Sequence, residues 1–313
     1  MLRILLGLFI LFNLALAQDL SISANASSKS DFEAEIVVDN IDLETAKVGF
    51  RLASNNAENI ELGLRARQTF SWGPVGNIIL NASADYSNTG LYDFSASAQG
   101  VVADISAEIA VSYFNDQEGS FNIDDAFSLG SRPMFPELAT ANFDLSAKYK
   151  IERNVILSAD YNLYLLNNLF SNRLQSELGF KKVFNKDGLG IETMIFQGKE
   201  GLANFALLGV NYELKHRAWP TTKISLRLGT SDGKNSGVYP GLTISMNKSI
   251  RSLGAKWGAL LWLEPYRTDL SPYRAKLFYE QDILGGKLST ALYSTPFDNL
   301  APLILSLKYK ISF

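Results

Sequence analysis

The feature that most constrains this chain is an alternation of apolar and polar residues that returns repeatedly from Leu20 to the end. The last stretch is representative. Leu303, Leu305, Leu307, Tyr309, Ile311 and Phe313 are apolar, whereas Ser306, Lys308, Lys310 and Ser312 are polar. Successive side chains on a strand point to opposite faces, so such a segment has one greasy face and one wet face. The same period runs through 20–26, 32–38, 46–52, 60–66, 78–86, 92–98 and 105–113, and it resumes after a longer loop at 143–151. No convincing amphipathic helix interrupts it. The pattern predicts about 18 strands, each near the ~10 residues that a tilted membrane-crossing strand requires. Weak alternation over 221–262 leaves the count open between 16 and 18.

The N-terminus predicts export. Met1, Leu2 and Arg3 form a short, singly charged leader, 4–14 is an almost unbroken apolar run, and Ala15-Leu16-Ala17 supplies an A-x-A cleavage site. Residues 1–17 therefore read as a cleaved secretory signal peptide, and 18–313 as one domain. No other segment approaches the ~20 continuous apolar residues of a spanning helix. A net charge of -3 implies neither nucleic acid nor strongly anionic partners. Cysteine is absent, so an exported chain must be stabilised by something other than disulfides. A closed barrel, in which every backbone group pairs between strands, is such a solution.

The connections carry a second regularity. With the first strand running outward, the even-numbered turns are mostly tight and use residues that tolerate turn dihedrals: 40–42, 73–76, 152–154, 185–188 and 282–286. The odd-numbered connections include the longest, at 115–140, 231–240 and 294–302. Aromatics (Trp72, Tyr86, Tyr113, Tyr149, Tyr212, Tyr273, Phe313) gather near the ends of apolar faces. Rings at those positions match the interfacial girdles of membrane barrels. A soluble β-sandwich also alternates, but about eighteen similar strands with no domain break favour a barrel.

These residues resemble bacterial outer-membrane β-barrels of the porin-like kind, without matching a particular porin family. The most motif-like part is the C-terminal strand, where Leu307, Tyr309, Ile311 and Phe313 resemble the closing strand read by the barrel-assembly machinery. The resemblance implies an all-β, transmembrane, antiparallel up-and-down barrel of about 16–18 strands, with 18 favoured. It implies short periplasmic turns, longer extracellular loops and residence in the outer membrane of a diderm bacterium. The implied partners are outer-membrane lipid, the assembly machinery and small hydrophilic solutes. A homo-oligomer is compatible with it.

If the apolar face meets lipid, the polar face lines a lumen, and barrels of 16–18 strands are wide enough for an aqueous channel. The predicted lining includes Glu35, Lys47, Arg51, Arg65, Arg67, Asp85, Glu108, Lys148, Asp160, Arg173 and Arg227, with the two signs roughly balanced. Turns centred at Ile41, near Asn56 and at Val75 would set Glu35, Lys47, Arg65 and Asp85 in one lateral row. Such a row reads either as a selectivity element or as charge pairing that stiffens the wall. Met194, Phe196, Phe205 and Leu207, with Leu260, Trp262 and Phe278, fall on inward positions of a less polar sector. They suit either an apolar patch that binds a hydrophobic solute or an inserted loop, or else a register error, a local bulge or strand ends packed under a loop. The acidic 115–140 loop, stiffened by Pro133 and Pro136, is the segment long enough to fold inward and narrow a channel.

The chain's function therefore reads as passive diffusion of small hydrophilic solutes or ions. The alternative is an envelope-organising barrel with an occluded lumen. His216 is the sole histidine and falls in a predicted turn, so no catalytic triad assembles. No metal-ligand cluster or cofactor motif is present, and no enzyme activity is expected.

Overall fold

In a computed structural model, residues 19–312 are described except 28–31, 56–58, 74–75, 116–138, 153–154, 167–168, 182–187, 198–203, 233–235, 267–271 and 295–302. The predicted signal peptide, most of the 115–140 loop and Phe313 lie outside the described residues. Within them the alternating segments form eighteen strands. The first half comprises β1 (Asp19–Ser27), β2 (Phe32–Leu43), β3 (Ala46–Asn55), β4 (Asn59–Trp72), β5 (Gly76–Ser87), β6 (Tyr92–Val102), β7 (Ile105–Phe114), β8 (Ala139–Glu152) and β9 (Val155–Leu166). The second half comprises β10 (Leu169–Lys181), β11 (Gly188–Gln197), β12 (Phe205–Leu214), β13 (Thr221–Ser231), β14 (Gly237–Ile250), β15 (Ala255–Leu263), β16 (Tyr273–Ile283), β17 (Gly286–Ser294) and β18 (Leu303–Ser312). The ambiguous stretch 221–262 resolves into β13, β14 and β15. Residues 237–240, read from sequence as loop, belong to β14.

Each strand pairs antiparallel with its neighbours in sequence, and β18 returns to pair with β1 from Asp19↔Ser312 to Ser27↔Ile304. Every strand thus has a partner along both edges, and no row of backbone donors is left unpaired. The even strand number brings the first and last strands to the same end, here called the terminal rim. Connections there are short. At the β16–β17 turn Leu284 (φ 50°) and Gly285 (φ 77°) both adopt left-handed conformations, as a tight two-residue hairpin requires. The Tyr309 hydroxyl of β18 donates to the carbonyls of Ile283 and Leu284 at 3.1 and 3.2 Å, tying the closing strand to that turn. β7 ends and β8 begins at the opposite, far rim.

Burial follows the alternation. Leu62, Leu64, Leu208, Leu226, Leu228, Leu277 and Leu305 are all exposed on the outer surface, and their polar sequence neighbours face inward. Exposed Tyr86 and Tyr113 mark the far-rim ends of β5 and β7, and Trp72 the terminal-rim end of β4. The Tyr92 hydroxyl at the start of β6 donates to that of Tyr113 at 3.2 Å.

One predicted turn is corrected. β2 does not stop at Asn40-Ile41-Asp42 but runs on to Leu43, with a bulge between Val38 and Ile41. Asn40 takes a left-handed conformation (φ 60°), which its short polar side chain tolerates. The extra residue returns Ile41 to the outer face, where it packs beside Val38, with Leu20, Val48 and Phe50 against them. The chain then reverses at Glu44 and Thr45 (φ 49° at Glu44).

The β18–β1 seam has its own polar fastening. Asp19 accepts from Ser312 Oγ at 2.5 Å and from Asn40 Nδ2, and Lys310 Nζ stands 3.4 Å away. Asp19→Ala should therefore lower stability by about 1–3 kcal/mol, the usual loss for hydrogen bonds to a charged acceptor. Thermal unfolding of the detergent-folded protein reads this as a reduced midpoint. An unchanged midpoint would mean that main-chain pairing alone holds the seam.

Candidate functional site: the inner wall of the barrel

The register decides which inward side chains meet. Lys47 lies opposite Arg67, Arg67 opposite Asn81, and Asn81 opposite Ser97. One step toward the far rim, Gly49, Arg65, Ser83, Ser95 and Ser112 form the next row. The predicted row Glu35–Lys47–Arg65–Asp85 does not form. Glu35 lies opposite Ala53, Lys47 opposite Asp42, and Asp85 opposite Gly63. The physical reason is the bulge and later reversal in β2, together with turns that shift the next two pairings by two residues. A shift of two preserves the face of every side chain while changing its neighbours.

Two charged assemblies result. The first centres on Arg51. Its Nε meets Glu35 Oε1 at 2.6 Å, while Nη1 meets Glu61 Oε2 at 2.7 Å and Asp85 Oδ1 at 3.2 Å. Glu33 lies 3.9 Å from Nη2. One guanidinium thus serves four carboxylates. Ser23 and Asn25 of β1 donate to Glu35 and Glu33 at 3.0 and 3.2 Å. The assembly needs small residues beneath it. A Cβ at Gly63 would overlap the Asp85 carboxylate and lie 2.9 Å from Arg51 Cβ.

The second assembly is fully buried. Arg227 of β13 meets Glu192 Oε1 at 2.5 Å, Thr243 Oγ1 at 2.5 Å and Glu264 Oε1 at 3.0 Å. Arg274 of β16 donates to the other Glu264 oxygen. The two guanidiniums lie over Trp262, 4.9 and 5.1 Å from its ring centroid, and cation–π attraction adds to the ion pairs there. Again glycine makes room, since a Cβ at Gly209 would lie 2.7 Å from Arg227 Cγ and 3.1 Å from Glu192 Oε1.

Beside the first assembly the wall is open. A cavity of about 560 Å³ is lined by Lys47, Arg65 and Arg67 of β3 and β4, by Asn81, Ser83, Ser95 and Ser97 of β5 and β6, and by Glu108 and Asp144 of β7 and β8. The lining also holds Asp19, Asp39, Asp85 and Lys310, so acids stand among the bases on the β1–β5 side, and a neutral hydroxyl and amide strip separates that side from Glu108 and Asp144. That strip is internally paired, Ser83 with Ser95 at 2.6 Å and Asn81 with Ser97 at 3.1 Å. Arg65 leans toward Asp39 (3.6 Å) and Lys47 toward Asp42 (3.6 Å). Arg67 is exposed in the cavity and has no ion-pair partner among the described residues.

The remaining sequence-selected residues fall as follows. Lys148 and Asp160 stand on inward positions of β8 and β9, Lys148 exposed toward the terminal rim and Asp160 half-buried. Arg173 lies on β10 opposite Asn162 and Phe196, and its side chain is outside the described residues. Leu307, Tyr309 and Ile311 face outward opposite Ala24, Ile22 and Leu20. His216 is exposed in the β12–β13 connection, where its Nδ1 accepts the Ala218 N–H at 3.2 Å.

The inward apolar sector is real and its registers are regular. Met194, Phe196, Phe205 and Leu207 form a buried cluster with Tyr266, which comes from the β15–β16 connection. Sequence reasoning did not select Glu192, Glu264, Tyr266 or Arg274. Parity alone placed Glu192 and Arg274 inward. For Tyr266 the available signal was the pair of inward glycines, Gly229 and Gly241, which leave a space on the wall.

The Arg51 assembly and the open cavity beside it predict different mutational costs. Arg51→Gln leaves four neighbouring carboxylates without their common counter-ion and should cost about 3 kcal/mol or more. Arg67→Gln removes an exposed charge and should stay within about 0.5 kcal/mol. Chemical denaturation of both variants in detergent checks the ordering, and equal losses would contradict the assignment of Arg51 as the organising charge.

No family model matches the chain, and no curated protein does. Solved structures do. The fold is similar to a mutant porin of Rh. blastica, at TM-score 0.52 and 11% identity, covering 94% of this chain and 98% of that one. It is similar to Pseudomonas aeruginosa OccK3 (OpdO) at TM-score 0.56 and 10% identity, covering 94% of each chain. Acinetobacter baumannii OccAB2 gives TM-score 0.55 and 10% identity, covering 94% of this chain and 96% of that one. The fold is thus that of the bacterial porin-like β-barrels.

Proposed function

We propose that this chain is an outer-membrane channel for passive diffusion of small hydrophilic solutes or ions. The observation that carries the reading is the contrast between its two surfaces. The outside of the ring is apolar and exposed, and the inside holds a cavity of about 560 Å³ lined by charges of both signs, with Lys47, Arg65, Arg67 and Asp39 on one side and Glu108 and Asp144 on the other. Exposed apolar surface of this extent suits lipid, and a charged lining suits water and solutes. Under this reading residues 1–17 direct export and are removed. The short turns of the terminal rim face the periplasm, and the β18 strand engages the assembly machinery. A homo-oligomer in the membrane is compatible with the outer surface. Lys47, Arg65 and Arg67, with Asp39 beside them and Glu108 and Asp144 across the polar strip, are the charges that a passing ion meets.

A second reading, a structural barrel with an occluded lumen, draws on the filled β11–β16 side, where Glu192, Arg227, Glu264 and Arg274 exclude solvent. Planar-bilayer recording separates the two. Stable stepwise conductance of the folded protein is expected, and persistent silence would overturn the channel reading. In a salt gradient, Arg65→Glu should move the reversal potential toward cation preference. An unchanged potential would make the basic side structural rather than selective.

A further inference from the structure

The outer face of the barrel carries one exception to its apolar pattern. Where strand pairing is regular, Lys248 of β14 is the only charged residue of the described strands at an outward position. Its neighbours on the strand set its parity. Ile244 and Met246 lie opposite Ile224 and Thr222 of β13, and Lys248 itself lies opposite Trp257 of β15. Ile224 and Trp257 are both exposed on the outside. A charge on the lipid face of a membrane barrel costs most at mid-depth and least near the interface. Lys248 stands near the interface, because β14 ends at Ile250 on the terminal rim.

The ammonium is held by the β12–β13 connection. Lys248 Nζ donates to the Arg217 carbonyl at 3.0 Å and to the Ala218 carbonyl at 2.6 Å. An ammonium has three donors, so one N–H and the whole positive charge remain for another partner. No carboxylate pairs with Lys248 among the described residues, and Glu213 at the end of β12 is taken by Lys215 at 2.8 Å. The turn that supplies the two carbonyls also carries Arg217 and Trp219, which are exposed, Trp219 at 70%. Arg217 likewise has no ion pair among the described residues. The turn is fixed from within, by the Ala218 N–H on His216 Nδ1 and by Thr222 Oγ1 on the Pro220 carbonyl at 3.1 Å. Two bases thus stand with two indoles at one point of the outer edge. Capping two carbonyls needs donors and no charge, so the clamp alone does not account for a lysine here.

We propose that Lys248 and Arg217, flanked by Trp219 and Trp257, bind the phosphate headgroup of an anionic glycerophospholipid in the leaflet at the terminal rim. The remaining ammonium N–H and the guanidinium supply charge-assisted donors to phosphate oxygens. The indoles favour the headgroup level, where the acyl chains begin. The inference rests on the membrane placement in the channel reading and is independent of whether the lumen conducts.

Native mass spectrometry of the detergent-folded protein, titrated with dioleoylphosphatidylglycerol or dioleoylphosphatidylcholine, tests this. Wild type should bind the first phosphatidylglycerol about fivefold or more tighter than phosphatidylcholine, the usual gain for one base facing an anionic lipid. Lys248→Gln keeps donors for the two carbonyls and removes the charge, and Arg217→Gln leaves the turn's main-chain bonds in place. Each should weaken phosphatidylglycerol binding by about fivefold and leave phosphatidylcholine unchanged. Lys150→Gln, which removes an exposed base at the terminal-rim end of β8, should change neither. Only protein with folded, heat-modifiable migration is compared, and Arg217→Gln decides alone if Lys248→Gln does not fold. Equal affinity of wild type for the two lipids, phosphatidylglycerol affinity unchanged in both site variants, or an equal loss in Lys150→Gln would overturn the inference and leave the channel reading intact. Release of bound phosphatidylglycerol by excess soluble glycerol phosphate would make this a site for free phosphate esters and overturn the lipid assignment. The expected lipid pattern in a protein that is silent in planar bilayers would support the inference while removing the conducting reading.

Discussion

Closure of the backbone hydrogen-bond network between β18 and β1 is the constraint on which everything else depends. An open sheet edge beside an apolar outer surface would leave a row of unsatisfied donors and acceptors, each costly away from water. Pairing Asp19↔Ser312 through Ser27↔Ile304 removes that edge. Once the ring is closed, strand parity sorts every side chain to the inside or the outside, so the polar lining is a direct consequence of closure. The Tyr309 contact with the β16–β17 turn and the Asp19 fastening then fix the seam's position as well as its existence.

The inner wall is built by complementarity between long charged side chains and glycines. Gly63 lies beneath the Arg51 assembly, Gly209 beneath the Arg227 assembly, and Gly229 with Gly241 beneath Tyr266. Charges lie flat along the wall where glycine permits. Ser and Asn on β5 and β6 set Glu108 and Asp144 apart from Lys47, Arg65 and Arg67. The two halves of the lumen consequently differ in kind. The β11–β16 side is dry, ion-paired and apolar, and the β2–β8 side carries the Arg51 assembly beside an open, polar cavity with charges of both signs.

Much of the fold was legible in the chain and much of the site was not, for one physical reason. Alternation reports parity, and parity survives errors of two residues. The eighteen strands, their order of turns, and the inward placement of Arg51, Arg65 and Met194 all depend on parity alone. Neighbour relations depend on register, which turns and bulges set. The later reversal at Glu44–Thr45, with the bulge at Asp39–Asn40, moved Glu35 from Lys47 to Ala53, dissolving the expected row and gathering its acids around Arg51 instead. Tyr266 was illegible for a different reason. It lies outside any strand, and its partners on β11, β12, β13 and β14 come together only through the closed wall. The inward glycines carried that information, although periodicity gives no weight to a missing side chain.

The central claim, that the ring encloses a water-accessible passage, is tested most directly by swelling of liposomes containing the purified, folded protein. With neutral sugars of graded size, small sugars should enter rapidly and larger ones progressively more slowly, giving a size cut-off without chemical preference. Swelling rates equal to protein-free liposomes for even the smallest sugar would contradict the claim.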